Sequence, residues 1–269
     1  MANHSKQIRL AIHGAAGRMG QRLVVLASEN PQLKVVAAID SPTHPRFGED
    51  AGAIAGVGKL GVSLGDTLPE AVDVVIDFSV PEGTRRIVKL CIERGLPLVI
   101  ATTGLDDAQQ TGLKAAAERI ALLWSPNTSL AVNLAMKLSR IAAESLAKHS
   151  SGVDVEIIER HHRFKEDAPS GTALKFGELI AEAMGQTHAR HGRHGRPGQR
   201  PRDEIGYHAV RIGDNPGEHT ICFGMIGETV EVSVRATNRD CYALGALEAA
   251  KFLHGEPPGM YAMTDVLGL

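Results

Sequence analysis

The sequence predicts an α/β protein: a doubly wound, Rossmann-like nucleotide domain followed by a second α+β domain with a mixed or antiparallel sheet. Three observations carry this. Short, nearly continuous apolar runs alternate with helix-periodic segments through the first half, the pattern of a parallel sheet covered on both faces. A glycine-rich turn follows the first apolar run, where such folds take the phosphates of a nucleotide. After about Asn127 the pattern changes to one long helix and then to neighbouring alternating strands, which favours antiparallel or mixed pairing.

The elements follow in order. IRLAIH (8–13) is a buried strand, and 20–30 has helical spacing with Leu23, Leu26 and Ala27 on one side. LKVVAAID (33–40) is a second strand, and the weakly periodic Pro42–Gly65 stretch reads as loop. DVVIDFS is a strand, and PEGTRRIVKLCIERG opens on Pro81 and closes on Gly95, the normal ends of a helix. LPLVIATTG, a helix over 106–119 and IALLWS complete this half. The second half reads as a helix over 130–149, the strand VDVEIIER, a helix over 172–184, three strands (EIGYHAVR, EHTICFGMIG, TVEVSVRAT) and a helix over 242–254. The segment THARHGRHGRPGQRPRDE reads as a solvated basic loop able to close over an anion. A metal site at His188, His191 and His194 is disfavoured, because no acid or thiol is interleaved.

Composition narrows the function. The chain has 269 residues and a formal net charge of −2, so nothing draws it to nucleic acid or to a membrane surface. Cys91, Cys222 and Cys241 have no CxxC spacing and read as reduced thiols. The opening residues lack a long apolar stretch, and no run reaches the roughly 18 apolar residues of a membrane helix. The expectation is a cytoplasmic protein with neither a nucleic-acid nor a membrane partner.

IHGAAGRMG places Gly14, Gly17 and Gly20 directly after the first strand. Small residues let the backbone turn tightly and let a pyrophosphate approach the helix N-terminus, with Arg18 as a nearby cation. Asp40 ends the second strand, 20 residues after Gly20, where an acid binds the hydroxyls of an adenosine ribose. Asp40 repels a 2′-phosphate and Ser41 adds no positive charge, so the pair leans to NADH over NADPH, with Arg46 the one nearby cation able to offset this. ATTG (101–104) and SPNTS (125–129) follow strands on the side where such sheets bind ligands, though each also reads as an ordinary strand–helix turn.

ERHHRFKEDAPSGTAL (159–174) is the densest chemistry in the chain. In an extended strand Val153, Val155, Ile157, Glu159 and His161 share one face, and His162 points away. Adjacent histidines facing opposite ways do not make a metal site. Ser170 is the expected N-cap of the next helix, and the amides of Ser170, Gly171 and Thr172 suit a carboxylate. Lys165 and one or both histidines can converge on that anion, and the other histidine is a natural proton donor. PSGTA is not a nucleophile elbow, so Ser170 is read as a cap or anion contact.

GAAGRMG, DFSVPEGT, ATTG and above all HHRFKEDAPSGTA, with GEHTICF and the closing TDVLGL, resemble the 4-hydroxy-tetrahydrodipicolinate (dihydrodipicolinate) reductase family of the diaminopimelate route to lysine. The resemblance covers nearly the whole chain. It implies a dinucleotide-binding domain at 1–129 plus 241–269 and a substrate-binding and oligomerisation domain at 130–240. It implies that Gly14, Ala15, Ala16, Gly17, Arg18 and Met19 hold the pyrophosphate and Asp40 the ribose. Ala101, Thr102, Thr103, Ser125, Pro126, Asn127 and Thr128 then line the nicotinamide side. His161 resembles the proton donor and Lys165 a second catalytic residue that also binds substrate. His162, Ser170, Gly171 and Thr172 resemble the substrate carboxylate site. NADH or NADPH as cofactor, a small dicarboxylate as substrate and a homotetramer are implied too. Because cofactor and substrate would sit on different domains, closure about hinges near 127–130 and 238–241 is the expected way to exclude water.

The chain departs from the family in having Asp40-Ser41 where many members have Glu-Arg, and His13 where a small residue is usual. Two rival readings are another two-domain dehydrogenase of amino-acid metabolism, which has no need of HHRFKEDAPSGTA, and a non-catalytic NAD sensor, which needs a partner module not visible in the sequence.

Overall fold

The computed structural model describes residues 7–269; the first six, which the sequence reading assigns to the nucleotide domain, lie outside the described residues. The first half runs β1 (Ile8–His13), α1 (Arg18–Glu29), β2 (Leu33–Ile39), α2 (Ala51–Ala55), β3 (Leu64–Gly65), β4 (Val74–Asp77), α3 (Pro81–Arg94), β5 (Leu98–Ile100), α4 (Asp107–Ala117) and β6 (Ala121–Trp124). Then come α5 (Leu130–Leu146), β7 (Asp154–His161), α6 (Gly171–Met184), β8 (His188–His191), β9 (Glu204–Arg211), β10 (Glu218–Met225) and β11 (Glu228–Arg235). The chain closes with α7 (Asp240–Leu253), β12 (Gly259–Tyr261) and α8 (Met263–Val266). It divides into two compact units, Met1–Leu130 with Asp240–Leu269, and Ala131–Arg239.

The first unit is Rossmann-like. Its seven strands lie in the order β12-β6-β5-β4-β1-β2-β3, every pair parallel. The period-two alternation of β1 sends Leu10 and Ile12 into one apolar layer and Ala11 into the other. The first layer includes Ala246, Ala250 and Leu253 of α7; the second includes Ile87 and Cys91 of α3 and Leu113 of α4. The last helix therefore belongs to the first unit's core. Local signals set the helix ends: Pro81 opens α3 and Gly95, at φ 63°, closes it, and Asp106 and Gln109 form a reciprocal cap on α4.

The second unit carries five strands in the order β11-β10-β7-β9-β8. β10 pairs antiparallel with β11 and β7, whereas β7–β9 and β9–β8 are parallel, so the sheet is mixed. Val155, Ile157, Phe176, Ile180, Ile221 and Phe223 fill its core.

Three expectations need correction. Pro42–Gly65 is not a plain loop: the Asp50 carboxylate accepts from the amides of Gly52, Ala53, Leu60, Gly61 and Val62. That caps α2 and folds the return to β3. The Leu60 amide leads the donors that hold Asp50 down at about 2. The basic segment is not a free loop either. It begins with the edge strand β8, Arg193 pairs with Glu156 and Glu204, and Arg200 pairs with Asp154 and Glu156. The guanidiniums of Arg193 and Arg200 are thus already matched by carboxylates. Finally, β12, which the sequence reading missed, adds an outer strand beside β6.

Candidate active site

The chemistry-bearing residues fall in two groups, one in each unit.

In the first unit Gly14 stands at φ 77°, and a Cβ on it would lie 2.4 Å from the Phe78 carbonyl oxygen. A Cβ on Gly20 would lie 2.0 Å from the Gly14 carbonyl oxygen, so these two glycines permit the close strand–turn–helix approach. The turn's own amides are largely spent. Gly14 and Ala15 donate to the Ile39 carbonyl, Gly17 donates to Gly14, and Ala16 donates to the Asp40 carboxylate at 3.0 Å. Among the described residues, the amides of Arg18 and Met19 in the first turn of α1 meet no acceptor. That is the donor set a phosphate needs. Asp40 also accepts the Ser41 amide at 2.8 Å. Arg46 is engaged by Glu49 at 2.8 Å.

The loops after β5 and β6 are more structural than expected. The Thr102 hydroxyl donates to Asp77 at 3.0 Å, and the Thr128 hydroxyl to the Tyr242 carbonyl at 2.6 Å; both residues are buried. The Ser125 hydroxyl donates to the Asn127 carbonyl. Ala101 is buried, whereas Thr103 and Pro126 are exposed. Thr102 is tied to a feature the sequence reading missed. Asp77, fully buried, also accepts from Ser79 and Thr84 and meets His13 Nδ1 at 2.8 Å. Burial works to raise the Asp77 carboxyl, but His13, Ser79 and Thr84 together hold it below the usual range. An ionised carboxylate only accepts, so His13 donates from Nδ1. The unusual histidine is thus first a partner for Asp77.

In the second unit β7 buries alternate residues, and Glu159 and His161 share the buried face as expected. The Glu159 carboxylate, 1% exposed, meets His161 Nδ1 at 2.5 Å. It takes both arms of Arg211 at 2.8 Å and the Ser170 amide at 3.1 Å. Burial opposes its charge, but His161, Arg211 and that amide outweigh burial and hold it at about 2. His161 therefore donates from Nδ1, leaving Nε2 for chemistry. Gly217, at φ 150°, sits against that nitrogen, where a Cβ would lie 2.9 Å from Nε2.

The rest of the cluster follows. Lys165 Nζ meets Asp167 at 2.8 Å. Ser170 caps α6, its hydroxyl accepting from the Ala173 amide at 3.2 Å; Gly171 and Thr172 form the first turn. The same hydroxyl lies 3.1 Å from Nε2 of buried His219, whose ring is edge-on to His161 at 5.3 Å. Burial, with help from His161 and Lys165, pushes His219 down to about 4, so it is neutral near pH 7. His162 Nδ1 is buried without a hydrogen-bond partner. Burial first, then Arg239, His161, Lys165 and Arg211, lowers its basicity. Glu159 is legible as a face-mate of His161; Gly217 and His219 lie in the GEHTICF motif but carry no role from it, and Arg211 lies far off in sequence with no local signal.

Among the described residues no group of three or more His, Cys, Asp and Glu is placed to hold a metal ion. No helix among them is long and apolar enough to cross a membrane.

Comparison with known proteins is consistent along the chain. Residues 8–128 match the family model for the dihydrodipicolinate reductase N-terminus, and 131–267 the model for its C-terminus. A 4-hydroxy-tetrahydrodipicolinate reductase of Rhodopirellula baltica is 52% identical over 280 aligned positions, covering 100% of this chain and 99% of that protein. The one from Alkalilimnicola ehrlichii is 47% identical, covering 97% and 99%. Among solved structures, a dipicolinate-bound dihydrodipicolinate reductase from Paenisporosarcina sp. TG-14 superposes with a TM-score of 0.76 at 26% identity, covering 95% of this chain and 97% of that one.

Proposed function

The chain belongs to the dihydrodipicolinate reductase family, and from that premise we propose how its residues share the reduction of 4-hydroxy-tetrahydrodipicolinate to tetrahydrodipicolinate in lysine biosynthesis. The balance is one hydride and one proton added and one water lost. A reduced pyridine nucleotide supplies the hydride when bound.

The first unit fits that cofactor. The open amides of Arg18 and Met19, reached over Gly14 and Gly17, hold the pyrophosphate. Asp40 takes the adenosine ribose while anchoring the Ala16 amide. With Ser41 beside it and Arg46 engaged by Glu49, the cation near Asp40 in sequence is not set aside for a 2′-phosphate, which supports NADH as the preferred donor. Ala101, Thr103, Ser125, Pro126 and Asn127 line the nicotinamide side. Buried Thr102 and Thr128 support those loops from beneath, with the Thr102 hydroxyl on Asp77 and the Thr128 hydroxyl on the Tyr242 carbonyl.

In the second unit the substrate is a small dicarboxylate, the class represented by the dipicolinate in the related structure. The turn at Ser170, Gly171 and Thr172 seats one carboxylate, with His162 and Lys165 adding donors. His161 gives its Nε2 proton to the ring carbon left electron-rich by hydride addition, and Lys165 binds substrate beside it. The observation that carries this reading is the His161–Glu159 pair, which leaves only Nε2 of the histidine available. A positioned acid of this kind is worth roughly 10²- to 10⁴-fold. We further propose a cytoplasmic homotetramer, to be checked by light scattering.

The test is a coupled assay in which substrate is made in place from pyruvate and aspartate semialdehyde, with NADH and NADPH oxidation followed separately. Substrate-dependent oxidation that falls by at least ~10² in His161→Gln and in Lys165→Ala is expected. Tight cofactor binding with no oxidation by the wild type would overturn the reading.

A further inference from the structure

Resting on the reading of His161 as the proton donor, we propose that Glu159 and Arg211 are positioning residues: one clamped carboxylate fixes both the proton donor and the anion-binding turn. The geometry is specific. Glu159 Oε2 takes His161 Nδ1 and Arg211 Nη1, while Oε1 takes Arg211 Nη2 and the Ser170 amide. All four acceptor positions of the carboxylate are filled. Arg211 also donates to the carbonyls of Lys165 at 3.3 Å and Asp167 at 2.5 Å. β7, β9, the loop carrying Lys165 and the start of α6 are therefore joined through a single ion pair.

Structural stability alone is a poor explanation for this arrangement, because a buried ion pair often contributes no more than apolar packing would. The surrounding charges point to the chemistry. His161 shares Glu159 with Arg211 of β9 and packs edge-on against His219 of β10; Arg239, Lys165 and Arg211 act on the adjacent His162, and Lys165 also acts on His219, with Asp167 held on Lys165. Apart from Asp167, these neighbours are cationic or neutral. Glu159 is the only carboxylate bonded to His161 among the described residues, so it alone offsets the charge of the imidazolium. It also decides which nitrogen reacts. In the transfer the Nε2–H bond breaks and a C–H bond forms on the substrate. The imidazolium becomes a neutral imidazole that keeps Nδ1–H on Glu159, and solvent returns the proton to Nε2. A glutamine at 159 would turn an N–H toward Nδ1, oppose the imidazolium and leave a neutral, weak acid.

The experiment compares Glu159→Gln and Arg211→Lys with the wild type by turnover over about pH 5.5–9, by dipicolinate affinity, and by NADH binding followed through Trp124, the only tryptophan. In Glu159→Gln we expect kcat to fall by roughly 10²-fold with the high-pH limb moved to lower pH. Dipicolinate binding should weaken by about tenfold as the Ser170 turn loosens, with NADH binding unchanged. Arg211→Lys keeps the charge but loses the fork, and should lose roughly tenfold in kcat. A Glu159→Gln enzyme with wild-type pH profile and dipicolinate affinity, lowered only in melting temperature, would overturn the inference. If that variant does not fold, the wild type decides by imidazole NMR: a His161 Nδ1 proton that exchanges freely overturns it, and a strongly downfield, slowly exchanging one supports it. An inactive His161→Gln beside a normal Glu159→Gln sinks this inference alone. An active His161→Gln sinks the underlying reading and this inference with it.

Discussion

In the first unit the turn between β1 and α1 is bare backbone shaped by residues with almost no side chain; in the second unit the chemistry-bearing cluster is Glu159, Arg211, His161 and Lys165, long titratable groups matched charge to charge. The two designs fail differently. A shape-built site has no room for an added atom, as the 2.0 Å approach at Gly20 shows, and carries little pH dependence of its own. A charge-built site leaves more room but depends on each partner, because removing one strands the others in a buried setting.

Each unit also contains one element of the opposite kind, and these give the sharpest tests. Asp77 is the charge-built element of the first unit. Replacing it with alanine strands His13, Ser79, Thr84 and Thr102 and should cost about 3–5 kcal/mol in urea unfolding at neutral pH. The folded state lowers the Asp77 carboxyl, so its contribution is present above the ordinary carboxylate value of about 3.9 and fades as pH falls through the lower folded value. The gap between wild type and Asp77→Ala should therefore narrow at about pH 3; a constant gap would mean the charge is not what matters. Gly217 is the shape-built element of the second unit. Gly217→Ala puts a methyl 2.9 Å from His161 Nε2 and should cut turnover by roughly 10²-fold while stability changes by about 1 kcal/mol. A fall in stability without a fall in turnover would break the comparison.

Smaller effects sharpen it on the nucleotide side. Asp40→Ala removes the repulsion of a 2′-phosphate and should shift the NADH-to-NADPH affinity ratio by about tenfold, read by Trp124 quenching. Arg46→Ala should move that ratio by less than about twofold, because its partner Glu49 and the pair itself are exposed.

How much of this was legible depended on the range of the interactions. The parallel strands, the glycine turn and the ends of α3 are written in residues a few positions apart, and the sequence reading places them. The fold of residues 42–65 was missed because it rests on one carboxylate, Asp50, reaching amides up to 12 residues away, with little apolar periodicity to reveal it. The basic segment reads as a loop in sequence because Glu156 and Asp154 lie on β7, far off in sequence, and only the fold brings them to Arg193 and Arg200. In the candidate site, His161, Lys165 and Ser170 were found in one stretch, and Glu159 was seen but given no role. Arg211, His219 and Gly217 meet them only through the pairing of β7 with β9 and β10.

The first unit takes a core helix and an outer strand, α7 and β12, from the last 30 residues of the chain. The second unit is one uninterrupted segment. During synthesis, then, the second unit has all its residues while the first still lacks a wall of its core and one edge of its sheet. A chain cut after residue 239 would hold every residue of the second unit but a first unit unable to bury Leu10 and Ile12 against Ala246 and Ala250. A cut near the C-terminus therefore damages the first unit while leaving every residue of the second in place.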